Sequence, residues 1–365
     1  MSPAAAGHSA WPVNPSVRAG HSRSRPSSTP SSSSPGLDLS TLAATVNPSL
    51  VDINVGLSTP NVQAAGTGIV LDGSGVVLTN NHVITGASSI NVTDVGNGQS
   101  YPATVVGYDH AHDIAVLQLQ GASNLPTATL GDSGTVAVED PIAAVGNAGG
   151  RGGTPSIVGG SVSALNQTVT VSDEITGSTE QLTGLIEVAA TIQPGDSGGP
   201  LINAAGQVIG VDTAGSVSSR SGQPGGDGLA IPINDAIAIS KQIQAGTASS
   251  TIHIGATGAL GILVADASGP SGHPGRRTHR HTGGTVPGAP GVTVAGLVSD
   301  SPAGQAGLAT GDVIVSLDGT TIDSPTALIT ALTAHHPGDS VQITWIDTAG
   351  QQHTATMTLT SGPPN

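Results

Sequence analysis

Three short stretches of the 365-residue chain carry side chains that hydrolyse acyl bonds when they are brought together. The segment QPGDSGGPL, from Gln193 to Leu201, sets Ser197 among Gly195, Gly198 and Gly199. Glycines let the backbone turn tightly, so the hydroxyl stands clear and the N–H groups of Gly195 and Ser197 can converge on one point, the outline of an oxyanion hole. A serine hydroxyl is a poor nucleophile without a base, and TNNHVI supplies His82 at a strand end. A carboxylate must hold the imidazole in the right tautomer, and HDIAVLQL supplies Asp113 just ahead of an apolar strand. Each piece also has an ordinary reading, as a hairpin turn, a structural histidine and a turn aspartate. Their occurrence in the order His, Asp, Ser within a β-rich body of about two hundred residues favours the catalytic one.

The elements that must position these groups are mostly β. Phe is absent and aromatics make up 1% of the chain, so the core has to come from Val, Ile, Leu and Ala. Segments of apolar residues bounded by Gly, Asn and Asp recur, among them GTGIVLDGSGVVLTN, DIAVLQLQ and GQVIGVDTAG, at the spacing of sandwiches or barrels. With 53 Gly, 25 Pro and 9% charged residues, the composition fits two or three compact domains and excludes a long coiled coil. Nine Lys and Arg against 24 Asp and Glu give a net charge of −15, which argues against nucleic acid as a partner. Lys241, the sole lysine, lies outside any phosphate-cradling context, so no ATP chemistry is expected. Without cysteine there are no disulfides, no thiolate catalysis and no Cys-based metal site.

Along the chain, residues 1–36 read as a flexible Ser/Pro-rich tail with Arg18, Arg23 and Arg25. Residues 37–243 read as the catalytic body, opening on a short helix in LDLSTLAATV that ends before Pro48. That body closes on a helix from Asn234, its expected N-cap, to Gly246. A Thr/Ser connector at 244–254 leads to a second domain at 255–361, whose clearest helix is Ser324 to His335. A Gly/Pro/His/Arg-rich insert at 267–291 should be a loop. No window approaches 18 consecutive apolar residues, and residues 1–36 hold no signal-peptide core.

TNNHVI, HDIAVLQL, GDSGGPL, the passage GDGLAIPIND and the downstream SPAGQAGLATGDVIVSLDG together resemble the trypsin-like serine proteases, and within them the HtrA (Deg) group with a C-terminal PDZ domain, in the manner of actinobacterial secreted members. The resemblance covers about residues 40 to 361. It implies two six-stranded barrels, with His82 and Asp113 from the first and Ser197 from the second, followed by a PDZ domain. The expected activity is ATP-independent serine endopeptidase action on unfolded or misfolded polypeptide, without cofactor. The PDZ carboxylate-binding loop maps onto Leu260, Gly261 and Ile262, which would take peptide C-termini while the peptide adds a strand to the sheet edge. A holding chaperone or peptide scaffold with little activity is the rival from another class. An esterase fits less well, because GDSGG differs from the G-x-S-x-G elbow.

Where the family commonly has Asn before the nucleophile, this chain has Asp196, as in enzymes where that carboxylate pairs with a newly cut N-terminus. IVGG at Ile157 to Gly160 looks like such a terminus but lies between Asp113 and Ser197, so it reads as a strand. The primary pocket is expected from Thr191 at its base and from Gly210, Val211 and Thr213 opposite, with Asp212 facing solvent, and it should favour a small or medium aliphatic side chain. His110 and His112, and His273, His279 and His281 in the insert, read as loop residues, so no metal is expected. Arg276, Arg277 and Arg280 read as solvated charge. Family trimers often use N-terminal aromatics, and only Trp11 precedes His82 here, which leaves a homo-oligomer open. The resemblance points to the cell envelope or a secreted location.

Overall fold

The computed structural model describes residues 37–57, 63–172, 179–213, 228–264 and 291–364. The tail with Trp11, nearly all of the insert with its three histidines and three arginines, and the 214–227 segment after Thr213 lie outside the described residues. Helix α1 (Leu39–Val46) starts where Asp38 accepts the N–H groups of Ser40 and Thr41, and it stops ahead of Pro48, as the sequence predicts. Its buried Leu42 and Val46 join the core.

The first barrel comprises β1 (Leu50–Leu57), β2 (Gln63–Asp72), β3 (Val76–Thr79), β4 (Ala87–Asp94), β5 (Ser100–Asp109) and β6 (Ile114–Leu119), with the one-turn helix α2 (Asn81–Ile84) after β3. The strands pair antiparallel in the order β4, β1, β2, β3, β6, β5, and β4 closes on β5. The second comprises β7 (Pro141–Gly146), β8 (Ser156–Ser172), β9 (Thr179–Val188), β10 (Pro200–Asn203), β11 (Val208–Thr213) and β12 (Gly228–Pro232), closed in the order β10, β11, β12, β9, β8, β7. IVGG lies inside β8, Val158 opposite Ala144 of β7, so it is a strand as expected. Each barrel has its own aliphatic filling, and a third layer runs between them: Leu50, Ile69 and Ile114 from the first barrel pack with Val145, Ile202 and Val211 from the second. Tyr108 is the bulkiest fully buried side chain in this Phe-free protein.

Helix α3 (Ile233–Gln244) covers that layer with Ile233, Ala236, Ile239 and Ile243. Its N-cap is Pro232, two residues ahead of the expected cap at Asn234. Asn234 is not its cap: its side chain donates to Asp132 Oδ1 at 2.7 Å and its backbone N–H to Ser133 Oγ at 3.2 Å, because the inter-barrel connection packs against this end of the helix.

The expected connector is itself structured. Strand β13 (Ile252–Ile254) pairs with the end of β5, opposite the side taken by β6. His253 is buried with its ring 5.2 Å from that of Tyr108 and 4.8 Å from that of His336, and its nitrogens lie 2.7 Å from Thr333 O and 3.0 Å from Ala256 O. Beyond it, β14 (Thr257–Ala259) pairs with the terminal strand, and β15 (Ile262–Val264), β16 (Val292–Leu297), β17 (Val313–Leu317), β18 (Thr320–Thr321), β19 (Ser340–Ile346), β20 (Gln352–Thr358) and β21 (Thr360–Gly362) complete the C-terminal body. Its helices are α4 (Pro302–Gln305) and α5 (Pro325–Leu332), each capped by a serine, Ser301 and Ser324. Leu328 and Leu332 of α5 are buried in the core of this body, and the helix stops short of the expected His335.

The approach of β13 to β5 leaves no room at Gly107, where a Cβ would lie 2.5 Å from His253 O and 2.9 Å from Ile243 Cγ2. Gly107→Ala is therefore expected to destabilise the protein by about 1–3 kcal/mol through forced displacement of backbone. A thermal melt checks this; an unchanged midpoint would contradict the close packing of the connector.

Candidate active site

His82 sits on α2, directly after the Thr79–Asn80 end of β3, and Asp113 ends the turn between β5 and β6. The structure brings the two together: Nδ1 of His82 lies 2.9 Å from Asp113 Oδ2 and 3.0 Å from Oδ1, and the backbone N–H of His82 donates to Oδ1 at 2.9 Å. These three contacts to one carboxylate fix both the imidazole and the start of its helix. Asp113 is buried and has φ +53°, a left-handed conformation that Asp tolerates better than most residues. The Asn80 side chain holds it there by donating to Asp113 O at 2.9 Å. Thr213, at the end of β11 in the other barrel, donates its hydroxyl to Asp113 Oδ2 at 3.1 Å. Sequence reasoning placed Thr213 in a pocket wall and did not anticipate this bond.

Ser197 is buried in a loop that the first barrel grips through Thr67 of β2. Thr67 N–H donates to Ser197 O at 2.8 Å, and its hydroxyl donates to Gly195 O at 2.8 Å while accepting Asn147 N–H at 2.8 Å. The Thr67 carbonyl accepts the Thr79 hydroxyl at 2.7 Å. Gly198 must be glycine twice over: its φ is +83°, and a Cβ would lie 2.1 Å from Thr67 O. At Gly66 the nearest neighbours of an added Cβ would be Val83, beside His82, and the Ser197 carbonyl, so the serine loop docks against the base of α2.

The amide directions in this loop follow from its carbonyls. Pro194 O accepts Gly149 N–H at 2.7 Å, and Asp196 O accepts Gly199 N–H at 2.9 Å. Across a trans peptide the N–H points opposite to the C=O. The Gly195 amide is thus aimed away from the 147–153 loop, and the Ser197 amide away from Gly199.

The pocket residues are arranged differently from the expectation. Thr191 is exposed, whereas the Val211 side chain is fully buried in the layer between the barrels, so Val211 contributes packing there and not a side-chain wall. Gly210 is buried against Ala230 and Leu201. Asp212 does not face solvent: it is 0% exposed, because both faces of β11 are covered. Neither of its carboxylate oxygens has a hydrogen-bond partner, and Asp196 Oδ1, also buried, has none. Burial, and then the charge of Asp196, push the Asp212 carboxyl well above the usual carboxylate range. Burial also raises Asp196, against the Gln193 N–H and the Ser156 hydroxyl. Ile157 is internal to β8, so it offers Asp196 no chain terminus.

Turning to the other histidines, His112 Nδ1 lies 2.9 Å from Asp109 Oδ2, and buried His110 has Nδ1 3.2 Å from Thr251 O. Among the described residues no group of three or more His, Asp or Glu is arranged to hold a metal, and no helix is long and apolar enough to cross a membrane.

In the C-terminal body, Leu260 is buried in the core and Gly261 has φ +70°, with a would-be Cβ 2.4 Å from that of Ser301. Leu260 O accepts Ala303 N–H at 3.1 Å and Gly261 O accepts Val298 N–H at 2.9 Å, which turns the amides of Gly261 and Ile262 to the opposite side. Ile262 opens β15, which among the described residues has a neighbour, β16, on one side only.

The buried Asp212 carboxyl has a consequence for stability. Its proton is held in the fold above the unfolded-state value of about 3.9, so its contribution is fully present below that pH and is lost as pH rises through the folded-state value. Asp212→Asn is expected to raise the melting temperature at pH 8 by an amount corresponding to about 1–3 kcal/mol, with the gain shrinking toward pH 4. Melts across this pH range check it; a gain that grew toward acid would contradict a protonated Asp212.

Comparison with known proteins agrees with this architecture. The family model of a trypsin-like peptidase domain matches residues 66–211, and that of a PDZ domain matches residues 258–355. The chain is 35% identical over 283 residues to the serine protease Do-like HtrA of Lactococcus lactis, covering 77% of this chain and 66% of that one. It is 33% identical over 301 residues to a probable periplasmic serine endoprotease DegP-like of Halomonas elongata, covering 82% of this chain and 57% of the relative. With the serine protease PepD of Mycobacterium tuberculosis the identity is 32% over 347 residues, 91% of this chain and 68% of PepD. The chain thus spans 57–68% of the length of these relatives. On the two matched domains and the PepD likeness, the chain belongs to the HtrA-type serine proteases with a PDZ domain.

Proposed function

We propose that this chain is an ATP-independent serine endopeptidase of unfolded or misfolded polypeptides, with residues 37–243 as its catalytic body. Ser197 attacks the scissile carbonyl, His82 takes the hydroxyl proton and passes it to the leaving amine, and Asp113 orients the imidazole. The Gly195 and Ser197 amides hold the oxyanion, and water then releases the acyl group. The observation that carries this reading is the bidentate His82–Asp113 contact beside a serine loop whose Pro194 and Asp196 carbonyls are occupied by the Gly149 and Gly199 N–H groups. The first side chain on the acyl side of the cut bond would be small or medium aliphatic. A cell-envelope or secreted location is proposed on the strength of the relatives named periplasmic.

Casein hydrolysis tests it. Ser197→Ala is expected to lower kcat by about a thousandfold or more in a protein with an unchanged melt, and Thr213→Val, which keeps the shape but removes the bond to Asp113, to lower kcat by roughly fivefold with KM unchanged. Full activity in Ser197→Ala would remove Ser197 from the mechanism, and no hydrolysis by the unmodified chain would favour a holding chaperone.

The body at 255–361 is proposed to capture peptide C-termini, the carboxylate on the Gly261 and Ile262 amides and the peptide as an added strand along β15. Titrating a free-acid peptide with an aliphatic end, and its amidated twin, into full-length Ser197→Ala protein is expected to give roughly tenfold or greater preference for the free acid. Equal affinities would assign the loop to internal sequences or to no ligand.

A further inference from the structure

A cavity of about 420 Å³ opens between the β5–β6 turn, the middle of β9, one face of α3 and residues 249–252, none of them in the serine loop. That volume lies in the range of small-ligand sites. Its two kinds of wall are distinct. Leu182, Leu185 and Ile239 give an apolar floor, and Asp109, His112 and Asp235 supply charge.

The charged groups are not equivalent. Asp109 is 1% exposed and saturated: it accepts Ala111 N–H at 3.1 Å, His112 N–H at 3.3 Å and the Thr251 hydroxyl at 3.1 Å, and meets His112 Nδ1 at 2.9 Å. Asp235, exposed in the first turn of α3, has no hydrogen bond or ion pair among the described residues. The site therefore holds two carboxylates against one imidazole, and the unengaged carboxylate is the one at the mouth. An anion would meet two like charges there, and a neutral apolar molecule would leave Asp235 unanswered. A single cation on a short aliphatic stem satisfies both walls.

We propose that this cavity binds an alkyl-guanidinium or alkyl-ammonium group, its stem on Leu182, Leu185 and Ile239 and its cation at Asp235 beside the Asp109–His112 pair. This chemistry belongs equally to a free amine and to an Arg or Lys side chain of a polypeptide. The site adjoins the proposed catalytic carboxylate through the chain, since Asp113 ends the same turn and its N–H reaches His110 O at 3.4 Å. His112 competes with the ligand. The bond from Asp109 raises its tendency to hold a proton, Asp235 adds to this, and His110, the other titratable neighbour, sits beside it. Loss of the His112 proton removes the positive charge that competes with the ligand's cation.

Agmatine, an aliphatic chain with a guanidinium at one end and an ammonium at the other, is a direct probe. Calorimetric titration into full-length Ser197→Ala protein makes the result independent of catalysis. One saturable site is expected, tighter at about pH 8.5 than at about pH 6 as His112 loses its proton. Asp235→Asn should weaken it by roughly tenfold. Ala238→Trp, which sets an indole into the cavity from an exposed position on α3, should abolish it, and Asp300→Asn, an exposed carboxylate in the C-terminal body, should leave it unchanged. Blocked acetyl-Ala-Arg-Ala-amide binding tighter than agmatine, with the same sensitivity to Asp235→Asn, would identify the source as polypeptide, and the opposite order as a free amine. Agmatine binding that ignores both Asp235→Asn and Ala238→Trp, falls equally with Asp300→Asn, weakens toward high pH, or is exceeded by hexanoate would overturn the proposal.

Discussion

Thr67 is the residue through which one barrel holds the other in register. All of its hydrogen-bonding groups are used: the amide on Ser197 O, the hydroxyl between Gly195 O and Asn147 N, the carbonyl on Thr79. It is wholly buried, so each bond forms without competition from water, and losing any of them would strand a polar group in the interior. The serine loop comes from the second barrel and the imidazole from the first. Their mutual geometry is therefore a property of the barrel interface, which Thr67 pins on one side and Thr213, reaching back to Asp113, pins on the other. The aliphatic layer between the barrels supplies the stiffness behind both contacts.

The same interface carries a cost in the Asp196–Asp212 pair. Two carboxyls approach one another behind the serine loop, three of their oxygens lack partners, and no described cation is bonded to either. A fold selected only for stability would place apolar residues there. The Asp212 backbone is nonetheless integral to the loop, because its carbonyl accepts Gly198 N–H at 2.9 Å and its amide donates to Gly199 O at 2.8 Å. This strand therefore hydrogen-bonds directly to the two glycines that follow Ser197.

The C-terminal body is joined to the first barrel by more than a tether. β13 extends the barrel sheet, Tyr108 OH lies 3.2 Å from Thr257 Oγ1, His336 Nε2 lies 2.9 Å from Ile254 O, and Gly86, just past α2, donates to Pro364 O at 2.9 Å. The C-terminal body thus contacts the first barrel at the end of β5 and just past the His82 helix.

The candidate catalytic residues were legible in the sequence because they sit in local signals. GDSGGPL requires glycine at a left-handed position, TNNHVI ends a strand, and the alternation of small aliphatic residues, with no Phe or Cys, admits little but β-sheet filled by Val, Ile and Leu. The helices α1 and α5 were legible for the same reason, the one from the stop at Pro48 and the other from its amphipathic pattern, and the structure adds the Asp38 and Ser324 caps. What only the tertiary structure decided lies between residues far apart in the chain. Thr67 grips a loop 128 residues away and Thr213 reaches an aspartate 100 residues away, and the sole trace in the sequence is a threonine set between Gly66 and Gly68. The connector's pairing to β5, the loss of Asn234 as a cap to Asp132, and the burial of Asp212 have no local signal, because period-two alternation says which residues share a face but not whether the second face is also covered.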